Sequence, residues 1–468
     1  MIPPAGDGTP VGRTSAVRTF LIADIRGYTR FTQERGDEAA AGLATRFAEI
    51  VREGVEASGG DLVELRGDEA LAVFASARRA IRAAVELQEV LGVELDECSS
   101  VSLGVGMGLD AGEAVPVADG YRGGALNLAA RLCARAGAGE VLASQGVVHL
   151  ARTMQGIRFE PLEPLELKGL AQPVQAVRVA VDGPTATRRR SEPPPERVDL
   201  SGGLDPSGPL VGRDGELRWL RWGWRRVLIG HGRVVSLSGP SGIGKTRLAA
   251  ELVRELHAAG WPVVHARCAG PAQAALEVLG EARSGAAPVL VVADDLDVAA
   301  GTVLDAVDAL VERASAEPIM VLGTHRPDTG SPLISARFDQ ATTGNEHRRR
   351  LGPLDAAGVG KIASLYLRRE RRSVPIEALL EQTGGVPLLV HRWVSDWASQ
   401  ELTGRLGAAA AQAASGRRGL RAAEAELAAN VIDLQFADDR RHLYLMQEPQ
   451  AAGGTVACPF KGLARFEP

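Results

Sequence analysis

The chain has 468 residues, 45% hydrophobic and 24% charged, and 53 basic against 58 acidic side chains leave a net charge of −5. That length gives roughly three domains able to bury their own cores, and the near balance of charge gives no global pull toward nucleic acid. No apolar run reaches the ~18 residues that cross a bilayer, and the opening MIPPAGDGTPVGRTS has no secretory h-region, so a cytoplasmic, non-membrane protein is expected. Cys98, Cys133, Cys268 and Cys458 are too scattered for a metal knuckle and too sparse for a disulfide framework. The only lysines are Lys168, Lys245, Lys361 and Lys461, so each stands out against an arginine background.

Val17–Ala23 reads as a strand running into Asp24, which puts this acid where a strand stops. Residues 37–57 follow with Leu43, Phe47, Val51 and Val55 at i+4 spacing, one face of an amphipathic helix. Leu62, Val63 and Leu65 lead into Arg66-Gly67-Asp68-Glu69, and Ala70–Phe74 lead out, which is a hairpin with acids at its tip. Taken alone, a Gly-Asp tip is more often a solvated turn than a ligand. A helix near 77–91, a strand over 101–109, a helix over Gly123–Ala136 and short strands to Val181 complete a βαββαβ order. That order predicts a ferredoxin-like α+β sheet. In such a sheet the first strand lies beside the hairpin, so Asp24 and Asp68 can share a divalent ion; hard carboxylates and phosphate oxygens suit Mg²⁺ or Mn²⁺. Ile25, Arg26, Gly27, Tyr28 and Thr29 would then offer N–H donors to a triphosphate, Gly27 permitting close backbone approach.

FLIADIRGYTRFT, ELRGDEALAVF, GLDAGEAVPV, YRGGALNLAARL and LELKGL, in this order, resemble the class III adenylyl and guanylyl cyclase catalytic domain over residues 15–182. The resemblance implies two Mg²⁺ or Mn²⁺ ions on Asp24 and Asp68. It implies that Asn127 orients the ribose, that Arg131 stabilises charge at the α-phosphate, and that Lys168 holds the terminal phosphates. Asn127 and Arg131, four apart, share one helix face. The base-reading positions are Glu64, where adenylyl cyclases commonly carry Lys, and Gly120, which follows Asp119. A carboxylate at Glu64 accepts hydrogen bonds from guanine N1 and N2, whereas Gly120 reads nothing, so ATP and GTP both stand as substrates. Gly106 occupies a position where many relatives carry Arg. The family's sites form between two domains, and one copy holding both residue sets implies a head-to-tail homodimer.

Residues 183–209, with TATRRRSEPPPERVDLSGGLDPSGP, read as a flexible connector. Arg188-Arg189-Arg190 within it reads as a solvated run rather than a nucleic-acid dock. Over 210–400, Val234–Ser238 forms a strand running into GPSGIGKT, a complete P-loop ahead of the helix Leu248–Leu256. Gly239, Gly242 and Gly244 let backbone N–H groups cradle phosphates, Lys245 neutralises the β and γ groups, and Thr246 can ligate Mg²⁺. The buried strand from Val289 ends in Asp294 and Asp295, the form of a Walker B element, with Asp294 on Mg²⁺ through water and Asp295 on the attacking water. A further strand, Ile319–Gly323, ends at Thr324-His325-Arg326, where Arg326 is a candidate sensor. LVGRDGEL, GPSGIGKT, VVADDLD, LGTHRP, LGPLD and TGGVPLLV together resemble the signal-transduction (STAND) branch of AAA-like ATPases, which implies Mg²⁺-ATP as ligand. The interval from Lys245 to Asp294 is short for that branch, so nucleotide binding is the safer expectation than turnover. Trp219, Trp222 and Trp224 are expected to pack on the ATPase core, an interaction surface being the alternative.

Residues 401–455 read as a helical linker and 456–468 as the opening of a further NTPase module, so the chain is expected to be part of a larger regulator; it shows no direct nucleic-acid module. The fold class expected is therefore an α+β ferredoxin-like cyclase domain, then an α/β P-loop NTPase domain with a helical C-terminal region. The expected function is a metal-dependent cyclase turning ATP or GTP into the cyclic 3′,5′-monophosphate and pyrophosphate, regulated by the fused ATPase in intracellular signalling. A cyclase-like nucleotide sensor inside an ATP-dependent regulator is the alternative.

Overall fold

The computed structural model describes residues 16–96, 103–117, 120–169, 172–181, 209–282, 287–327, 347–366 and 376–397. The expectations for the connector through residue 208, for Asp119 and for the tail beyond 397 lie outside the described residues.

The first module runs β1 (Ala16–Arg26), α1 (Tyr28–Arg35), α2 (Asp37–Ala57), β2 (Asp61–Arg66), β3 (Glu69–Phe74), α3 (Ala77–Asp96), β4 (Gly104–Val117), β5 (Gly120–Arg122), α4 (Gly124–Arg135), β6 (Val141–Ser144), α5 (Gln145–Ala151), β7 (Ile157–Pro161) and β8 (Ala176–Val181). Its sheet has the order β2-β3-β1-β4-β6-β8-β7, with β5 on β4. The first four strands pair antiparallel in the ferredoxin-like order. Strand β1 is apolar from Phe20 to Ala23, where both its faces are covered. Leu21, Ala23 and Ile25 face the α2–α3 layer with Phe47, Val51, Ile81 and Leu87, while Phe20 and Ile22 face α4 through Ala125, Ala129 and Cys133. Helix α4 sits almost on the backbone of β4: a Cβ added at Gly108 would meet Ala129 O and Cys133 N at 2.2 Å. Two details differ from the expectation. Strand β1 continues past Asp24 to Arg26, and the stretch after Gly27 winds into α1, a helix the sequence pattern did not signal.

The second module begins with α6 (Asp214–Leu228) and continues through β9 (Arg233–Ser238), α7 (Lys245–Ala258), β10 (Val263–Arg267), α8 (Ala272–Gly280), β11 (Val289–Asp294), α9 (Gly301–Arg313), β12 (Ile319–His325) and β13 (Arg348–Arg350). Helices α10 (Ala356–Tyr366) and α11 (Ile376–Thr383) follow. The strands form an all-parallel sheet in the order β10-β11-β12-β9-β13. Buried on both faces, β11 reads Val-Leu-Val-Val without polar interruption.

Helix α6 belongs to both cores. Trp219 and Trp224 pack in the second module as expected, but Trp222 is buried in the core of the first, together with Ile229. The three tryptophans therefore do not share one role: successive positions on a helix point different ways, and Trp222 is the one buried in the core that α2 and α3 build. Gly54 of α2 makes room for it, since a Cβ there would meet Leu87 at 2.6 Å and Trp222 at 2.9 Å. Around this plug runs a row of arginine–glutamate pairs. Arg218 meets Glu56 at 2.7 Å, Arg225 meets Glu53 at 2.5 Å and Glu94 at 2.9 Å, Arg226 meets Glu89, and Arg233 meets Glu86 at 3.3 Å. Trp222 Nε1 also donates to Glu86 at 3.1 Å. Burial works against the Glu86 charge, yet Arg233, Arg226 and the Trp222 hydrogen bond hold its carboxyl below the usual range.

Replacing Trp222 by Ala should therefore cost about 3–5 kcal/mol, the range for truncating a large buried aromatic. It should also turn one joint thermal transition into two; calorimetry showing an unchanged single transition would mean that α6 does not bind the modules together.

Candidate active site

In the first module the pairing of β1 with β3 places Asp24 opposite Glu69, and Ile25 N–H donates to the Asp68 carbonyl at 3.1 Å. Gly67, at φ 60, supplies the left-handed turn that folds the hairpin tip back toward β1. Asp24, Asp68 and Glu69 are thereby gathered at one end of the sheet. Burial pushes the Asp24 carboxyl above its usual range; Arg26 opposes the shift, and the neighbouring charges of Asp68 and Glu69 add to it. A carboxylate that is part desolvated and crowded by others of like charge is one a divalent cation would relieve, so the donor set fits Mg²⁺ or Mn²⁺. Among the described residues no three such side chains form a ready-made cage, so an ion here would take the rest of its shell from phosphate and water.

The stretch predicted to meet the triphosphate divides. Ile25 is a core residue whose N–H is taken by Asp68, and Arg26 turns its guanidinium to Asp24. Gly27, at φ 87, caps α1; Tyr28 and Thr29 form the first turn, with the Tyr28 hydroxyl donating to the Ala40 carbonyl at 3.1 Å. The N–H groups of Gly27, Tyr28 and Thr29 are thus the donor end of this segment. Asn127 and Arg131 lie exposed on α4, opposite the face formed by Ala125, Ala129, Leu132 and Cys133, and Lys168 is exposed in the segment after β7. Glu64 is held by Arg66 on β2. Gly120, at φ 126, lies against that strand, because a Cβ on it would meet Val63 at 3.3 Å. Both base-reading positions therefore belong to one neighbourhood. The sequence reading passed over Glu69 although it adjoins Asp68; its place opposite Asp24 depends on strand register.

In the second module the P-loop joins β9 to α7. Gly242 and Gly244 adopt φ 74 and 101, open to glycine at little cost. Lys245 Nζ donates to the carbonyls of Gly239 at 2.9 Å and Pro240 at 3.1 Å, closing the loop on itself. Burial lowers the Lys245 amine from its usual range, while Asp295, Asp297 and Asp294 pull it back. Asp294 is 2% exposed and accepts from the Thr246 hydroxyl at 2.9 Å and the Thr324 hydroxyl at 2.5 Å. Thr324 in turn accepts the Asp295 N–H at 3.0 Å, and Asp295 holds φ 58. Burial first, then Asp294 and Asp297, raise the Asp295 carboxyl. Such a base is suited to accept a proton from water. Arg326 donates to Asp297 at 2.6 Å through its side chain and 3.0 Å through its N–H, so it braces the loop that carries Asp295. Arg213, just ahead of α6, was missed: its buried guanidinium reaches the carbonyls of Ile243 at 3.1 Å in the P-loop and Gly352 at 2.6 Å. The motif LVGRDGEL contained it, but nothing local says which carbonyls it finds.

An AAA ATPase domain family matches residues 209–279. An uncharacterized protein of Mycobacterium tuberculosis (strain ATCC 25618 / H37Rv) is 35% identical over 191 residues, 40% of this chain and 48% of that protein. The chain thus spans about half the length of this curated relative. Among solved structures, the adenylyl cyclase CyaB from P. aeruginosa is 24% identical with a TM-score of 0.33, covering 37% of this chain and 97% of its own. The adenylate/guanylate cyclase/hydrolase from Silicibacter pomeroyi is 23% identical with a TM-score of 0.33, covering 36% and 99%.

Replacing Thr324 by Val leaves the Asp294 carboxylate short of one hydroxyl and the Asp295 N–H without its acceptor. Loss of a hydrogen bond to a buried charge is worth about 1.5–3 kcal/mol, so Mg²⁺-ATP affinity should fall about tenfold or more by titration calorimetry, and Lys245→Ala should fall further. Wild-type affinity in Thr324→Val would remove Thr324 from the site. Residues 209–279 thus match an AAA ATPase domain family, behind a module whose motifs resemble those of class III adenylyl and guanylyl cyclases.

Proposed function

We propose that the chain is a nucleotide cyclase: it turns ATP or GTP into the cyclic 3′,5′-monophosphate, the bond from O3′ to the α-phosphorus forming as the bond to pyrophosphate breaks and the 3′-hydroxyl proton passes to water. The observation that carries this reading is the β1–β3 register, which sets Asp24 beside the Asp68 tip. A divalent ion bound there would polarise the α-phosphate and lower the pKa of the attacking hydroxyl. The chain's own residues do the rest. The first turn of α1 presents N–H groups to the triphosphate, Asn127 fixes the ribose, Arg131 stabilises charge on the α-phosphate, and Lys168 holds the leaving pyrophosphate. Asn127 and Arg131 stand exposed on a helix separate from the acids, which favours a head-to-tail pair of chains in which each supplies what the other's acids need.

The second module, on this reading a STAND-type switch binding Mg²⁺-ATP, acts on the first through α6. Arg213 ties the start of that helix to the P-loop backbone, and its middle is plugged into the α2–α3 layer by Trp222. Nucleotide that reshapes the P-loop therefore acts on the cyclase layer through a short chain of buried contacts. A sensor without turnover is the second reading, favoured by the absence of a side chain at Gly120.

Purified protein given Mn²⁺ and either ATP or GTP should release cyclic product, separable by chromatography. Glu64→Lys should shift the GTP-to-ATP product ratio toward ATP about tenfold or more, because a carboxylate that accepts from guanine becomes a donor. Dimeric protein that makes no cyclic product from either nucleotide would leave the sensor reading in its place.

A further inference from the structure

One charged group at the candidate site has no part in the reaction as drawn. The Arg26 guanidinium, at the last residue of β1, is held at three points. Its Nη1 pairs with the Asp24 carboxylate, its Nη2 donates to the Cys133 carbonyl, and its Nε donates to the Ala136 carbonyl at 3.0 Å. Both carbonyls lie at the C-terminal end of α4, where the helix dipole favours a cation; the Cys133 oxygen also accepts the Ala136 N–H at 3.0 Å. Beneath the guanidinium is Gly106, opposite Asp24 in the β1–β4 register. A Cβ at Gly106 would meet Arg26 Nε and Nη2 at 2.6 Å and Ala136 O at 2.8 Å, so the absence of a side chain at 106 is what opens the seat. Arg26 and Asp24 keep 25% and 27% of their side chains exposed, so an ion from solution can reach the pair.

We propose that Arg26 is the internal counter-cation of Asp24, and that it makes metal binding depend on nucleotide. Without a divalent ion, the guanidinium neutralises one of three crowded carboxylates. An ion arriving alone meets a positive charge already in contact with its ligand and must compete for that carboxylate. An ion arriving with a nucleoside triphosphate meets a different balance. The two α4 carbonyls keep Arg26 in place, and its charge, partly released from Asp24, then lies beside added phosphate charge instead of beside the metal alone. Arg26 is a positioning residue in this scheme; it touches the acid, not the reacting atoms. The inference rests on reading Asp24 as a metal ligand.

The test is titration of the full chain with Mn²⁺, alone and with a 3′-deoxynucleoside triphosphate that cannot cyclise, following the part of the isotherm that Asp24→Asn abolishes. Arg26→Gln keeps amide donors for the α4 carbonyls and removes the charge; it should bind Mn²⁺ alone about fivefold or more tighter than wild type. The enhancement of Mn²⁺ affinity by the nucleotide should shrink by a similar factor. Arg26→Lys, which keeps the charge, should retain most of the wild-type enhancement. Should Arg26→Gln bind Mn²⁺ no tighter while Asp24→Asn still abolishes the signal, the counter-cation role is wrong and the metal site stands. Should Asp24→Asn change nothing, the ligand reading itself fails, and this inference with it.

Discussion

The pairing of β1 on both its edges is the constraint from which the candidate site follows. Eleven residues of β1 pair with β4 and six with β3, so a slip by one residue would turn Leu21, Ala23 and Ile25 out of one core and Phe20 and Ile22 out of the other. The register is thus set by apolar burial far larger than any electrostatic term at its end. It forces Asp24, with its raised carboxyl, against Glu69, the Asp68 tip and Gly106. The crowding of like charge at that point is imposed by the core, and Arg26 is the fold's local answer to it.

The second structural commitment is α6, which neither module can release without exposing tryptophan. The arginine–glutamate row along it should not be read as a large net stabiliser. Glu53 and Glu94 are 5% and 2% exposed, and the cost of desolvating both partners offsets much of their attraction. Burial indeed pushes the Glu53 carboxyl up despite Arg225. What the row supplies is specificity. A rotated or shifted α6 would bury a charge without a partner, an outcome costlier than the pair is favourable, so Trp222 enters Gly54's gap in one orientation. That definite seating is what the proposed coupling between the P-loop and the α2–α3 layer rests on.

Much of this was legible in the residues because the signals were local. The βαββαβ order, the hairpin tip at Asp68, the P-loop with Lys245 and Thr246, and the strand ending in Asp294 each depend on a short run of periodicity and turn chemistry. What was hidden depends on register or on side chains that travel. Asp24 looked like a strand terminus because β1's final residues, Ile25 and Arg26, resemble the start of a loop. Trp222 was assigned to the wrong core because helical spacing says which residues share a face and not which neighbour that face meets. Arg213, Thr324 and the Arg326–Asp297 brace act through partners 29 to 139 positions away, a distance over which pattern alone carries no information.

The central claim is that one chain carries two halves of a site that only a second copy completes. Mixing two inactive variants tests it most directly: Asp24→Asn/Asp68→Asn, which lacks the acids, and Asn127→Ala/Arg131→Ala, which lacks the exposed helix groups. Cyclic nucleotide formation with Mn²⁺ should be absent from each alone and return in the mixture, since a mixed dimer with one wild-type set on each side contains one intact site. Wild-type protein that forms product, beside a mixture that forms none after subunit exchange is verified, would contradict a site shared between chains.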